Sequence, residues 1–185
     1  MSLTELVLGI SILTSTWAWI SHPQVRWSHW GLSPYLVRTQ GEWYRFITSP
    51  FFHADLFHLL LNGLVFYSFG RQMELYYGRP LYAGLLLVGA AGSGAATYFR
   101  YKDNPHHLSI GLSGVVNAVV FSFIVLYPKA TLLVWFLPLP AWLFALLYLG
   151  YSVYEARRGQ GYVNHWAHLG GAASGIIFAL ALYTQ

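Results

Sequence analysis

Cysteine is absent from the 185 residues. That excludes disulfide staples, a thiol nucleophile and thiolate-held metal. Charge is scarce as well: only 9% of the residues are Asp, Glu, Lys or Arg, where soluble domains carry about 25%. A globule with a water-facing surface cannot be assembled from that supply, so lipid must replace water around most of the chain. The net charge of +4 comes from ten Lys and Arg against six Asp and Glu. They are scattered through the connections without a basic cluster, which argues against nucleic acid as a partner. Strict alternation of apolar and polar residues is missing, and a transmembrane β-barrel would need it. The first apolar run has neither a basic leader nor a small-residue cleavage site, so it reads as a retained helix rather than a signal peptide. No internal repeat, low-complexity tract or interdomain linker is visible. Residues 1–185 therefore read as a single domain.

What is present is apolar: 56% hydrophobic residues and 18% aromatic. Six apolar spans can be drawn, over about residues 4–20, 56–75, 80–99, 113–127, 141–154 and 166–183. The fold class expected is an all-α, multi-pass membrane protein, a bundle of six transmembrane helices in a lipid bilayer. Several spans fall at or below the ~20 residues that cross a bilayer, which predicts tilt or local thinning of the membrane. Residues 21–52 carry Trp27, Trp30, Trp43 and Tyr44 among polar residues and three prolines, a composition suited to the headgroup interface. Residues 132–139 are apolar but bounded by Pro128, Pro138 and Pro140, and a semi-embedded loop is expected there. Pro140 also suits the first turn of the fifth span.

In so apolar a chain each polar side chain within a span needs a reason. Ser113, in Gly111-Leu112-Ser113-Gly114, falls where the fourth span begins, so unpaired backbone N–H groups at the positive end of the helix dipole surround it. Such donors could hold an oxyanion formed by attack of its hydroxyl. Small-residue helix packing explains the same four residues equally simply. His168 lies on a face of the last span with Gly171, Ala172, Gly175 and Ala179, small residues that admit a neighbouring backbone. If that neighbour carries Ser113, the imidazole can take the hydroxyl proton; otherwise His168 is a buried histidine bonded to a carbonyl or water. His58 and Asn62 share a face of the second span. They are either donors to an oxyanion or a helix–helix hydrogen-bond pair.

The last three spans contain no Asp or Glu, and nothing in the sequence brings Asp55 or Glu42 to His168. A Ser–His dyad is therefore expected, with packing or a carbonyl holding the imidazole. His53, His106, His107, His165 and His168 raise a metal hypothesis. There is no His-Glu-x-x-His and no carboxylate beside the His165/His168 pair, so no metal is expected.

Taken together, these segments resemble the rhomboid family of intramembrane serine proteases over about residues 42–180. Arg45-Phe46-Ile47-Thr48 resembles the family's Trp-Arg-containing lead into the second helix, here with Trp43 displaced by Tyr44. His53 through His58-Leu59-Leu60-Leu61-Asn62 is similar to its His-rich segment, and Gly70 with Glu74 to the end of that helix. Gly111-Leu112-Ser113-Gly114 matches the nucleophile motif, and Ala167-His168-Leu169-Gly170-Gly171 with Gly175 the base motif. Asn117 stands where many members carry an aromatic beside the catalytic histidine, and its amide could bond the imidazole instead.

The resemblance implies a six-helix rhomboid-like bundle that cleaves transmembrane protein substrates without metal or cofactor. Ser113 would be the nucleophile and His168 the general base, with His58, Asn62 and the Ser113 backbone amide serving the oxyanion. It also implies a cell membrane, with termini on the cytoplasmic side and the site opening to the extracytoplasmic side. The loop charges alone would place the termini outside, with Arg71, Arg79 and Lys129 on one side and Arg26, Arg38, Arg45, Arg100, Lys102, Arg157 and Arg158 on the other. Residues 157–164, with Gly159 and Gly161, are expected to cap the site. Two other readings stay open: a non-catalytic relative that binds membrane helices, and a small transporter with a histidine-lined path.

Overall fold

The architecture is given by a computed structural model that describes residues 1–21, 28–134, 136–159, 161 and 163–183. Its helices include α1 (Leu3–Ile20), α2 (Pro34–Gln40), α3 (Arg45–Thr48), α4 (Leu56–Tyr101), α5 (Ser113–Leu126), α6 (Ala141–Arg158) and α7 (His165–Tyr183). A 3-10 turn, Ser49–Phe51, follows α3, and a hairpin of β1 (Thr131–Val134) and β2 (Leu137–Pro140) separates α5 from α6. Among the described residues three helices are long and apolar enough to cross a membrane: α1, α4 and residues 165–182 of α7; α5 is a shorter apolar helix.

The second and third expected spans are the two arms of α4. They meet at Gly78, whose φ of 71° and ψ of 162° lie outside the helical region and are open to glycine at little cost. Pro80 follows, with no N–H to continue the ladder. A carboxylate ties the first arm to α1. Glu74 accepts from the backbone N–H groups of Leu3 (2.8 Å) and Thr4 (3.1 Å) and from the Thr4 hydroxyl (2.8 Å). Ser2 and Glu5 form a capping box at the same end. The first-turn donors of α1 are thus satisfied by negative charge at the positive helix end. From the far arm, the Tyr82 hydroxyl lies 3.1 Å from Thr4 Oγ1.

The core is α5. Every residue from Gly114 to Ile124 is buried, because a helix apolar on all sides is stable only when surrounded. Glycines decide how closely its neighbours come. A Cβ on Gly171 would overlap the Gly114 carbonyl, and one on Gly175 the Ala118 carbonyl. Gly170 meets the Gly92 carbonyl in the same way. α7 therefore lies backbone to backbone against α5 and against the second arm of α4, the small-residue packing that membrane helices favour.

Residues 132–139, expected as a semi-embedded loop, take on strand structure in their described part. They lie within an antiparallel hairpin in which Thr131 pairs with Pro140 and Leu132 with Leu139. Its backbone groups bond to one another instead of needing water, which suits an apolar stretch. The fifth span runs on to Arg158, four residues beyond the expected end, and stops at Gly159 in the left-handed conformation. Of the 21–52 segment, residues 22–27, including Arg26 and Trp27, lie outside the described residues. The rest is anchored by Arg45, only 3% exposed. Its guanidinium donates to Glu42 (2.6 Å) and to the carbonyls of Ser28 (2.6 Å) and Gly31 (2.7 Å).

Candidate active site

The segment before α5 is built by backbone constraints from three directions. Leu32 and Ser109 exchange N–H···O bonds of 2.8 and 3.0 Å. Gly111 N–H donates to the Ser49 carbonyl at 3.0 Å. Leu112 N–H points to Nε2 of His53 at 3.4 Å. Gly111 adopts φ 116°, and a Cβ there would also strike the His58 ring, 2.7 Å from Cε1. Both the backbone angle and the close ring require glycine at this position. The turn delivers Ser113 to the first position of α5, where its own N–H has no partner within the helix.

His53 is fully buried and lies outside the helices. Its ring bridges Leu112 N–H and Ser15 Oγ, the latter 3.1 Å from Nδ1. Burial, and then the neighbouring His58, pushes its pKa down to about 4 from an ordinary 6.5. The neutral ring suits both contacts, with Nδ1–H donating to Ser15 and Nε2 accepting from Leu112.

Fifty-five positions after Ser113, α7 brings in His168. Its Nε2 lies 2.8 Å from Ser113 Oγ, within the range of a hydroxyl-to-imidazole hydrogen bond. The Gly171–Gly114 crossing makes this possible, since it lets the two helix backbones touch right beside Ser113 and one turn beyond His168. The other ring nitrogen, Nδ1, lies 3.2 Å from the Tyr148 hydroxyl on α6. Sequence reasoning missed Tyr148. Tyr148, Tyr151 and Tyr154 recur along one apolar stretch, and nothing in their spacing marks the first of them as the one that meets His168.

The remaining candidates fall into place less evenly. His58 lies against Gly111, and its Nδ1 faces the Ala54 N–H at 3.5 Å. This arrangement leaves Nε2 beside the turn that precedes Ser113. Asn62 is buried on the same face of α4, and its amide donates to the His58 carbonyl at 2.9 Å. Asn117 does not bond the imidazole: its Nδ2 donates to the Ser113 carbonyl one turn back, at 2.8 Å. A short amide on a helix reaches its own preceding turn more easily than a neighbouring ring. Asp55 caps α4 by accepting from His58 N–H at 2.8 Å, and Glu42 is held by Arg45. Neither serves His168. Asn164 caps α7 and donates to Thr97 Oγ1 (2.9 Å) and Ser109 Oγ (3.1 Å), tying the histidine's helix to the Ser113 turn.

The expected cap over residues 157–164 falls partly outside the described residues, at Gln160 and Tyr162. Among the described residues no group of three or more His, Asp or Glu side chains could hold a metal ion. The ring of His107 instead stacks on Tyr101, 3.6 Å between centroids, and burial, then Arg100, lowers its pKa to about 4.

A serine hydroxyl bonded to imidazole at the start of a buried helix, in a bundle of apolar helices, defines a class: helical membrane proteins with the side chains of a serine hydrolase. A model of the Rhomboid domain matches residues 40–185, more than half of the chain, and the chain belongs to the Rhomboid family. It is 32% identical over 150 residues to RHOMBOID-like protein 12, mitochondrial, of Arabidopsis thaliana, covering 72% of this chain and 44% of that protein. It is 28% identical over 137 residues to Rhomboid protein 1, mitochondrial, of Saccharomyces cerevisiae, covering 71% and 40%. Over 78 residues it is 36% identical to Rhomboid protease GluP of Bacillus subtilis, covering 42% and 14%. The chain thus spans less than half the length of these curated relatives. The cell-membrane setting expected from the sequence is corrected here, because the Arabidopsis thaliana and Saccharomyces cerevisiae relatives, each matching over 70% of the chain, are named as mitochondrial proteins.

Proposed function

We propose that this protein is an intramembrane serine endopeptidase that hydrolyses peptide bonds in or near the transmembrane helices of membrane-protein substrates. The observation that carries the reading is the 2.8 Å contact between Ser113 Oγ and His168 Nε2. The family includes proteases, and GluP is named as one. In this reading residues 1–185 act as one domain of six membrane spans: α1, the two arms of α4, α5, α6 and α7. The mitochondrial names of two relatives favour a mitochondrial membrane as its setting.

A substrate helix unwinds locally and enters from the lipid between the first arm of α4 and α6. His168 Nε2 takes the Ser113 proton as Oγ bonds to the scissile carbonyl carbon, and the carbonyl oxygen becomes an oxyanion. His58 Nε2–H, the Asn62 amide and the Ser113 backbone N–H stabilise that charge. The proton on His168 passes to the departing amine as the C–N bond breaks. Water, deprotonated by His168, then attacks the acyl-enzyme and releases the carboxylic acid, returning the proton to Ser113. No cofactor takes part.

The test is cleavage of a reporter transmembrane substrate by purified protein in liposomes. Ser113→Ala is expected to abolish the product while leaving the melting temperature unchanged. Product formation persisting in that variant ends the nucleophile assignment. A helix-binding protein without catalysis would capture the reporter intact and would not be labelled at Ser113 by a fluorophosphonate.

A further inference from the structure

We propose that Tyr148 is the positioning residue of the Ser113–His168 pair, accepting the Nδ1–H of His168 on its hydroxyl oxygen and so leaving Nε2 free for the serine proton. This rests on the endopeptidase reading above and supplies what a dyad lacks, a group that chooses the tautomer. A neutral imidazole carries one N–H. If that hydrogen sat on Nε2, His168 could not take the Ser113 proton, so a general base at this place needs it on Nδ1. The hydrogen on Nδ1 then needs an acceptor.

All six acidic residues of the chain are engaged elsewhere. Glu5 and Glu74 hold the start of α1, Glu42 pairs with Arg45, and Asp55 caps α4. Asp103 pairs with Arg38 and Glu155 with Arg158. Among the described residues, the Tyr148 hydroxyl meets Nδ1 at 3.2 Å.

The phenol is held where it must be. Its ring contacts Phe121 of α5, centroids 5.7 Å apart, and stacks on Phe144 one turn earlier on α6, at 5.5 Å. Asn117 of α5 and Ser152 of α6 lie beside the hydroxyl. The chain Ser113–His168–Tyr148 thus runs across α5, α7 and α6. A neutral phenol offers the imidazolium no countercharge, so its effect is orientation and tautomer choice, smaller than that of a buried carboxylate.

Tyr148→Phe keeps the ring and its two aromatic contacts and removes only the oxygen. In liposome cleavage kcat is expected to fall about 10- to 100-fold with KM within about twofold, the mark of an interaction used in the chemical step. Nitrogen NMR of histidine-labelled protein, with His168 assigned by its substitution, is expected to show Nδ1 protonated and Nε2 bare in the unaltered protein. A mixture of tautomers is expected in Tyr148→Phe. Unchanged kcat in Tyr148→Phe overturns the proposal, and so does a protonated Nε2 in the unaltered protein. The tautomer read in the unaltered protein needs neither turnover nor a folded Tyr148→Phe variant. A failure of the endopeptidase reading, seen as cleavage by Ser113→Ala, is therefore distinguishable from a failure of this one.

Discussion

The helices α5 and α6 are neighbours in sequence and opposites in environment. Eleven consecutive residues of α5 are buried. Along the 18 residues of α6 only Ala141, Ser152 and Ala156 are, while Trp142, Leu146, Leu147, Tyr151 and Tyr154 face outward. Both nonetheless contribute to one site: α5 presents Ser113, and α6 reaches His168 with Tyr148. The Ser113 hydroxyl sits on the part of the bundle that packing holds hardest, and the Tyr148 hydroxyl that meets His168 sits on a far more exposed helix. In the proposed mechanism, rigidity where geometry must be kept and a loosely seated wall where a substrate helix would pass are compatible because different helices provide them.

The comparison breaks most visibly at Ser113. Its replacement by alanine is expected to lower kcat by more than ~1,000-fold, measured as reporter cleavage in liposomes, with the fold intact. Gly171→Val comes next. Its side chain would meet the Gly114 carbonyl, a backbone group that cannot move aside. The expected cost is about 1–3 kcal/mol with loss of activity, read as a lower melting temperature in detergent. His58→Ala leaves α5 seated but removes a donor from beside Gly111. A fall of about 100-fold in kcat with little change in melting temperature is expected, and equal loss of both would return His58 to a packing role.

Acidification offers a subtler probe of the same end of α5. His53 in the folded protein titrates at about 4 and in the unfolded chain near 6.5. Between those values the unfolded chain binds a proton that the folded protein refuses. Its contribution to stability is therefore complete above pH 6.5 and lost as the pH falls toward 4. The melting temperature is expected to drop over that window, less steeply in His53→Gln; His107, shifted the same way, keeps part of the slope. The smallest effect belongs to the outer face of α6. Leu147→Ala there is expected to change stability by less than about 0.5 kcal/mol, because that side chain already faces out. A larger loss would show α6 to be as firmly held as α5.

Much of this was readable from the residues alone. Scarcity of charge compels a lipid-facing helical protein, since no other supply of surface exists. The apolar runs set where the helices lie, and Gly78 with Pro80 sets where α4 turns, because backbone angles at glycine and proline are properties of the residue itself. Ser113 and His168 stood out because a hydroxyl and an imidazole are costly in an apolar span without partners. Proximity was the tertiary structure's decision. Glycine against glycine at positions 114 and 171 fits two backbones together, and a small residue names no partner in advance. Tyr148 was settled the same way: three phenols are equivalent along one helix until the turn of that helix, seated on Phe121 and Phe144, aims one of them at the histidine. The hairpin at 131–140 was hidden for a related reason, because strand pairing belongs to two segments at once and neither carries it alone.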